Sequence, residues 1–298
     1  MDIAVHPFLA ADVEAALNRR YIVGHEIAVG GQGAVFKATR LALPDGTDAY
    51  DVVALKLNLY RSQDIRVERE ITAMQNITHA TLAKLIEHGH CEVAGRHLRY
   101  VAYEFIDGET LAEKLKGGPL LESEVLVIGR DISAAIAEIW SRQIVHGDIK
   151  PSNIMMRESG GAVLIDLGAA RHLAQEDTPA AQKPFGTRGY FSPEQAREVR
   201  ALTCASDVFS LGVVMLQCLM GRHPTDYHQS GLLEGLRASG GRLAVNVNLL
   251  GRLDKMLSGR PTFRPNPAEL SRYFQTLLQK MEADFARGAP RRFRVVRD

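Results

Sequence analysis

The chain has 298 residues, 46% hydrophobic and 24% charged, enough to bury one large domain or two lobes. Its 36 lysines and arginines nearly cancel 35 aspartates and glutamates, and this formal net charge of +1 excludes a binder that meets polyanions with its whole surface. Cys91, Cys204 and Cys218 have neither zinc-site nor disulfide-framework spacing, no run approaches the roughly 18 apolar residues of a membrane span, and MDIAVHP lacks a basic signal-peptide segment, so a cytoplasmic chain with reduced thiols and no nucleic-acid partner is expected.

In chain order, residues 1–20 read as an N-terminal extension. From 21 to 106, β-rich stretches such as AVFKAT, DVVALKLN and RYVAYEFI surround one helical stretch, DIRVEREITAMQNI. That predicts a small, mostly antiparallel sheet carrying a helix. From 107 to 286 helical periodicity dominates in ESEVLVIGRDISAAIAEIWSR and ASDVFSLGVVMLQCLMG, interrupted by a loop-rich stretch over 146–194. The expected class is therefore α+β. The end, RGAPRRFRVVRD, carries five arginines and reads as a solvated basic tail.

Chemistry enters at IAVGGQGAVFKA, residues 27–38. Gly30 and Gly33 sit in a strand–turn–strand context where a missing Cβ lets backbone approach phosphates, although a tight hairpin explains them as well. VALK then puts Lys56 on a strand, where its ammonium can meet phosphate oxygens or simply decorate a sheet edge. Glu70, on the helix beginning near Asp64, can clamp Lys56; Glu68 is its rival, and a solvated helix face explains either.

IVHGDIKPSN, residues 144–153, supplies Asp148, Lys150 and Asn153, and LIDLG adds Asp166 18 residues after Asp148. Phosphoryl transfer needs hard oxygen ligands for magnesium, a carboxylate that orients a hydroxyl, and cations on the phosphates. Asn153 and Asp166 suit the metal, Asp148 the hydroxyl proton, and Lys150 the moving phosphoryl group. Each alone is an ordinary cap or turn residue; the ordered set is not.

From about Arg20 to Phe274 this set resembles the eukaryotic-like Ser/Thr protein kinases, with wording closest to the bacterial branch. The resemblance implies a bilobal kinase fold that uses ATP and magnesium, with manganese as an alternative, on protein serines and threonines, the chain itself among them. It implies that Ala28, Gly30 and Gly33 form the glycine-rich loop, and that Val35, Ala54, Lys56, Glu104, Ile106 and Met155 bind the nucleotide, with Tyr103 as gatekeeper. Lys56 pairs with Glu70, which stands nine residues before His79 as the family spacing requires. Asp148 and Lys150 act on the transfer, Asn153 and Asp166 hold metal, and Thr187 in GTRGYFSPEQA faces Asp148 and Lys150. Asp207 braces the lobe, and Arg264 partners Glu194.

Three positions depart from the pattern. Ala28 replaces the first loop glycine, Leu167 the phenylalanine after Asp166, and Gly147 the arginine before Asp148. In regulated members that arginine pairs with a phosphorylated activation-segment residue, so Gly147 implies a kinase not switched on by phosphate at Thr178; Arg171, Lys183 and Arg188 belong to the segment itself. HGD is also how aminoglycoside and choline kinases write the loop, but those lack the equivalent of Lys150 and the GYFSPE segment. They remain the second reading, and a catalytically weak scaffold the third. Bacterial members often continue through a basic juxtamembrane segment, which leaves the arginine tail open as a junction with the membrane or with a partner.

Overall fold

The computed structural model describes residues 8–30, 33–41, 51–59, 66–75, 77–168, 170–172, 186–197, 202–224, 244–287 and 293–295. The chain divides into two compact units, 1–78 with 83–107 and 79–82 with 108–298.

In the first unit α1 (Ala10–Ala16) precedes β1 (Tyr21–Gly30), β2 (Gly33–Arg40), β3 (Asp51–Leu59), α2 (Arg66–Met74), β4 (Leu85–Val93) and β5 (Arg96–Glu104). The strands form one antiparallel sheet in the order β1-β2-β3-β5-β4. Strand periodicity gives the sheet two different faces. Phe36 and Ala38 of β2 and Val53, Leu55 and Leu57 of β3 are buried in a single core, while Val35, Ala54 and Lys56 alternate with them. The stretch expected only as an extension closes that core: Val13 and Leu17 are buried in it, each worth about 1.5–3 kcal/mol of transfer free energy. Glu14 ties α1 down by accepting the Val23 N–H at 3.0 Å. Tyr21 and Tyr100 both donate to Glu87, at 3.2 and 2.7 Å, and burial pushes the Tyr100 phenol up to about 12 and keeps it a donor. Residue 64, where a helix start was expected, lies outside the described residues; α2 is described from Arg66.

The second unit contains β6 (Gly108–Thr110), α3 (Leu111–Lys114), α4 (Glu122–Ser141), β7 (Ile144–Val145), β8 (Ile154–Arg157), β9 (Ala162–Leu164) and β10 (Arg171–His172). It continues with α5 (Pro193–Arg197), α6 (Cys204–Met220), β11 (Ala244–Asn246), α7 (Val247–Met256), α8 (Pro267–Ala286) and β12 (Phe293–Val295). Val125, Ile128, Ile132, Ala135 and Ile139 give α4 a buried stripe at helical spacing, whereas α6 is buried on nearly every side and forms the centre of the unit. Gly129 permits the close approach of α4: a Cβ there would stand 2.7 Å from Met215 and 2.9 Å from Phe274. Gly221, at φ +67°, ends α6 in the left-handed conformation.

Within the basic tail, residues 293–295 pair antiparallel with 244–246, which gives that backbone a hydrogen-bonding partner. Among the described residues, no helix is long and apolar enough to cross a membrane.

Candidate active site

In the first unit the predicted residues converge on the sheet face opposite the α1 core. Ala28, Val35 and Lys56 are cross-strand neighbours in one row over β1, β2 and β3, and Ala54 lies one pleat further along β3. Lys56 is not an edge residue, since β3 runs between β2 and β5. Its Nζ donates to both carboxylate oxygens of Glu70, at 3.0 and 2.9 Å, and Glu70 is only 2% exposed. Glu68 faces elsewhere and pairs with Arg99 of β5, a guanidinium that holds its carboxyl below the usual glutamate range. Helical geometry separates the rivals, because residues two apart on a helix point about 200° apart.

Tyr103 adds what sequence reasoning missed. Its hydroxyl donates to Glu70 Oε1 at 2.6 Å, so Glu70 is held by a phenol as well as by the ammonium. The only sequence signal is a hydroxylated ring at the gatekeeper position. Gly30 and Gly33 are Cα partners where the β1–β2 hairpin closes, and its tip, 31–32, lies outside the described residues. Gly33 is demanded by the sheet itself: at φ +149° a Cβ would fall 1.7 Å from the Leu57 carbonyl oxygen. Glu104 ends β5 and donates its N–H to Lys84 at 2.9 Å, and Ile106, two residues on, is buried.

In the second unit the loop after β7 carries the predicted residues Asp148, Lys150 and Asn153. Asp207 of α6, nearly inaccessible, accepts the N–H groups of His146 and Gly147 at 2.8 Å each. Burial pushes its carboxyl above the ordinary aspartate range, against the pull of His146 and of those two bonds. Gly147 takes φ +74°, where any other residue except asparagine or aspartate is strained. The buried His146 ring accepts the Asp148 N–H on Nδ1 at 3.2 Å and turns Nε2 toward the Ile165 carbonyl at 3.4 Å, which assigns the proton to Nε2.

Asp148 is thereby presented with its two oxygens in different states. Oδ2 accepts from Lys150 Nζ at 2.7 Å, whereas Oδ1 is buried and has no partner among the described residues. Lys150 Nζ also donates to Thr187 Oγ1 at 2.7 Å. Asn153 spends its amide nitrogen on the Asp148 carbonyl at 2.9 Å, which leaves its oxygen as the hard donor. Its own carbonyl accepts the Ile165 N–H at 2.9 Å, so Asn153 and the start of the Asp166 turn are tied together. Asp166 sits at φ +62° and accepts the Gly168 N–H at 3.0 Å. Two oxygen donors rather than a full cage suit magnesium, which keeps waters and shares substrate phosphates, so the residues fit the expected metal. Met155 stands on β8 in register with Val163 and Thr110, and Leu167 is buried.

The segment that carries Thr187 is anchored through α5. Arg264, fully buried, donates to Glu194 at 2.6 and 2.8 Å, and Ser206 adds a bond at 2.8 Å. Burial alone raises the Glu194 carboxyl, but these partners outweigh it and set it below the ordinary range. Gln195, buried beside it, donates to the Gly147 carbonyl at 2.6 Å, a contact with no counterpart in the sequence reading. Thr178 and Lys183 lie outside the described residues, and only the backbone of Arg171 is described, in β10.

A protein kinase domain model matches residues 21–283. A probable serine/threonine-protein kinase PknB of Lactococcus lactis is 32% identical over 211 residues, 70% of this chain and 32% of its own length. The serine/threonine-protein kinases PknB of Mycolicibacterium smegmatis, covered over 33% of its length, and PrkC of Bacillus subtilis, over 32%, are each 31% identical across 70% of this chain. The chain thus spans about a third of the length of these curated relatives.

Proposed function

The chain belongs to the protein kinase family, on its bacterial serine/threonine branch, and we propose that it transfers the γ-phosphoryl group of ATP to serine and threonine hydroxyls of proteins, itself included. Members of this family use ATP and a divalent metal. The observation that carries the reading is Asp148, with one carboxylate oxygen bonded to Lys150 and the other without a hydrogen-bond partner among the described residues. A hydroxyl entering there meets an acceptor already fixed in direction, so little reorganisation is left for the transfer itself.

Lys56, fixed by Glu70, supplies a cation for phosphate oxygens, and Ala28, Gly30, Gly33, Val35, Ala54, Glu104, Ile106 and Met155 frame the nucleotide. Asn153 and Asp166 would hold magnesium, or manganese in its place, which would supply positive charge to the phosphates. Lys150 stays near the moving phosphoryl group and keeps Thr187 beside Asp148. Residues 21–106 and 107–286 serve as the two kinase lobes. The unpaired thiols of Cys91, Cys204 and Cys218 fit a cytoplasmic setting.

The test is transfer from labelled ATP with magnesium, offered a generic protein and, separately, aminoglycoside and choline hydroxyls. Phosphoserine and phosphothreonine on protein are expected. Label on the small hydroxyls alone would move the chain to the small-molecule reading, and no transfer at all to the scaffold reading.

A further inference from the structure

We propose that Gln195 is a positioning residue for Asp148, acting through the Gly147 carbonyl, so that a neutral buried bond ties the Thr187 segment to the catalytic loop. The inference rests on the kinase reading above. Its geometry lies in one peptide group. The plane between Gly147 and Asp148 carries the Gly147 oxygen at one end and the Asp148 N–H at the other. Gln195 Nε2 holds the oxygen at 2.6 Å, and His146 Nδ1 holds the N–H at 3.2 Å. The preceding plane is held by Asp207 through the Gly147 N–H. Rotating the peptide would swing the Asp148 side chain, and the pair of bonds resists that rotation.

A buried amide is an expensive choice unless its hydrogen bonds are used, and Gln195 is 1% exposed on a short helix where a leucine or methionine would fill the same volume. That helix is fixed independently through Glu194 and Arg264. Gly186 meets the same oxygen: at φ +106° its missing Cβ would stand 2.5 Å from the Gly147 oxygen and 3.1 Å from Gln195 Nε2. Position 147 has no side chain, so no cation there can receive a phosphate. The coupling between the segment at 186–197 and Asp148 runs through Gln195 and through the Lys150–Thr187 bond.

The experiment compares wild type, Gln195→Met and Gln195→Glu at saturating ATP, with far-UV circular dichroism and melting temperature as controls for folding. Gln195→Met keeps the volume and removes the donor; its kcat is expected to fall about tenfold while KM for ATP stays within about twofold. Gln195→Glu puts a carboxylate against a carbonyl oxygen at neutral pH, but protonation, favoured by burial, restores a donor. Its kcat relative to wild type should therefore rise about tenfold from pH 8 to pH 6, a response that a merely structural role would not give. An active wild type with a Gln195→Met variant within about twofold of it, or a Gln195→Glu ratio flat with pH, overturns the inference alone. A wild type that phosphorylates no serine or threonine overturns the kinase reading and this inference with it.

Discussion

The first unit holds its site by charge on regular elements, and the second by buried hydrogen bonds on a loop. Lys56 stands on a strand and Glu70 on a helix whose own backbones are satisfied by ladder and helix bonds, and the pair is joined directly, with the Tyr103 hydroxyl donating to Glu70 as well. The catalytic loop has no such ladder. Its peptide groups at 146–148 are held one by one by Asp207, His146 and Gln195, and those bonds fix the backbone that carries the Asp148 carboxylate. A regular element positions a side chain cheaply, whereas a loop needs a buried polar residue for nearly every peptide it fixes.

The contrast breaks first at the metal. Asp166→Ala should lower turnover by about 10³-fold or more with the circular dichroism spectrum unchanged, because it removes a carboxylate ligand at the point of greatest charge. Retained turnover with an ordinary magnesium dependence would place the metal elsewhere.

In the first unit, Lys56→Met and Glu70→Gln should each cost on the order of 10²-fold in kcat/KM, and the double variant little more than either. Additive losses would show two separate supports rather than one pair.

In the second unit, Glu194→Gln tests the α5 anchor by pH. Because Arg264 and Ser206 set the folded Glu194 carboxyl below its ordinary value of 4.5, the pair's stabilisation is complete above that pH and fades as pH falls through the lower folded value. Denaturant unfolding should show wild type ahead by about 2 kcal/mol at pH 7, shrinking below pH of about 4. A gap independent of pH would remove the ion pair from the account.

Thr187→Ala, which deletes the hydroxyl held by Lys150, should lower kcat about tenfold. Tyr103→Phe should produce the smallest change, a loss of about fivefold in kcat/KM for ATP, equal to about 1 kcal/mol of positioning. Equality with wild type would leave the Lys56–Glu70 pair self-sufficient.

The same contrast decides what could be read before the structure. Strand and helix periodicity around Lys56 was legible because regular elements fix direction through spacing, whereas Glu70 was chosen over Glu68 only through the family spacing to His79. The ordered set Asp148, Lys150, Asn153 and Asp166 was read through family resemblance, and the structure joins Asp148 to Lys150 and Asn153 and ties Asn153 to Ile165, the residue before Asp166. Gln195 and the Tyr103 hydroxyl were not. Each acts across 48 or 33 residues of sequence, and no local pattern marks which buried amide or phenol meets which partner. The α1 helix was missed because seven residues with one fully buried side chain give too short a periodic signal, and its role emerges only once Val13 meets the sheet core.

The central claim is that the catalytic loop is positioned by Asp207, His146 and Gln195, with no phosphate required. It is tested most directly by the initial rate of phosphatase-treated protein, checked by intact mass, against the autophosphorylated form and Thr178→Ala. All three should agree within about threefold, because Gly147 offers a phosphate no cation on the loop. An enzyme silenced by dephosphorylation or by Thr178→Ala would contradict the account.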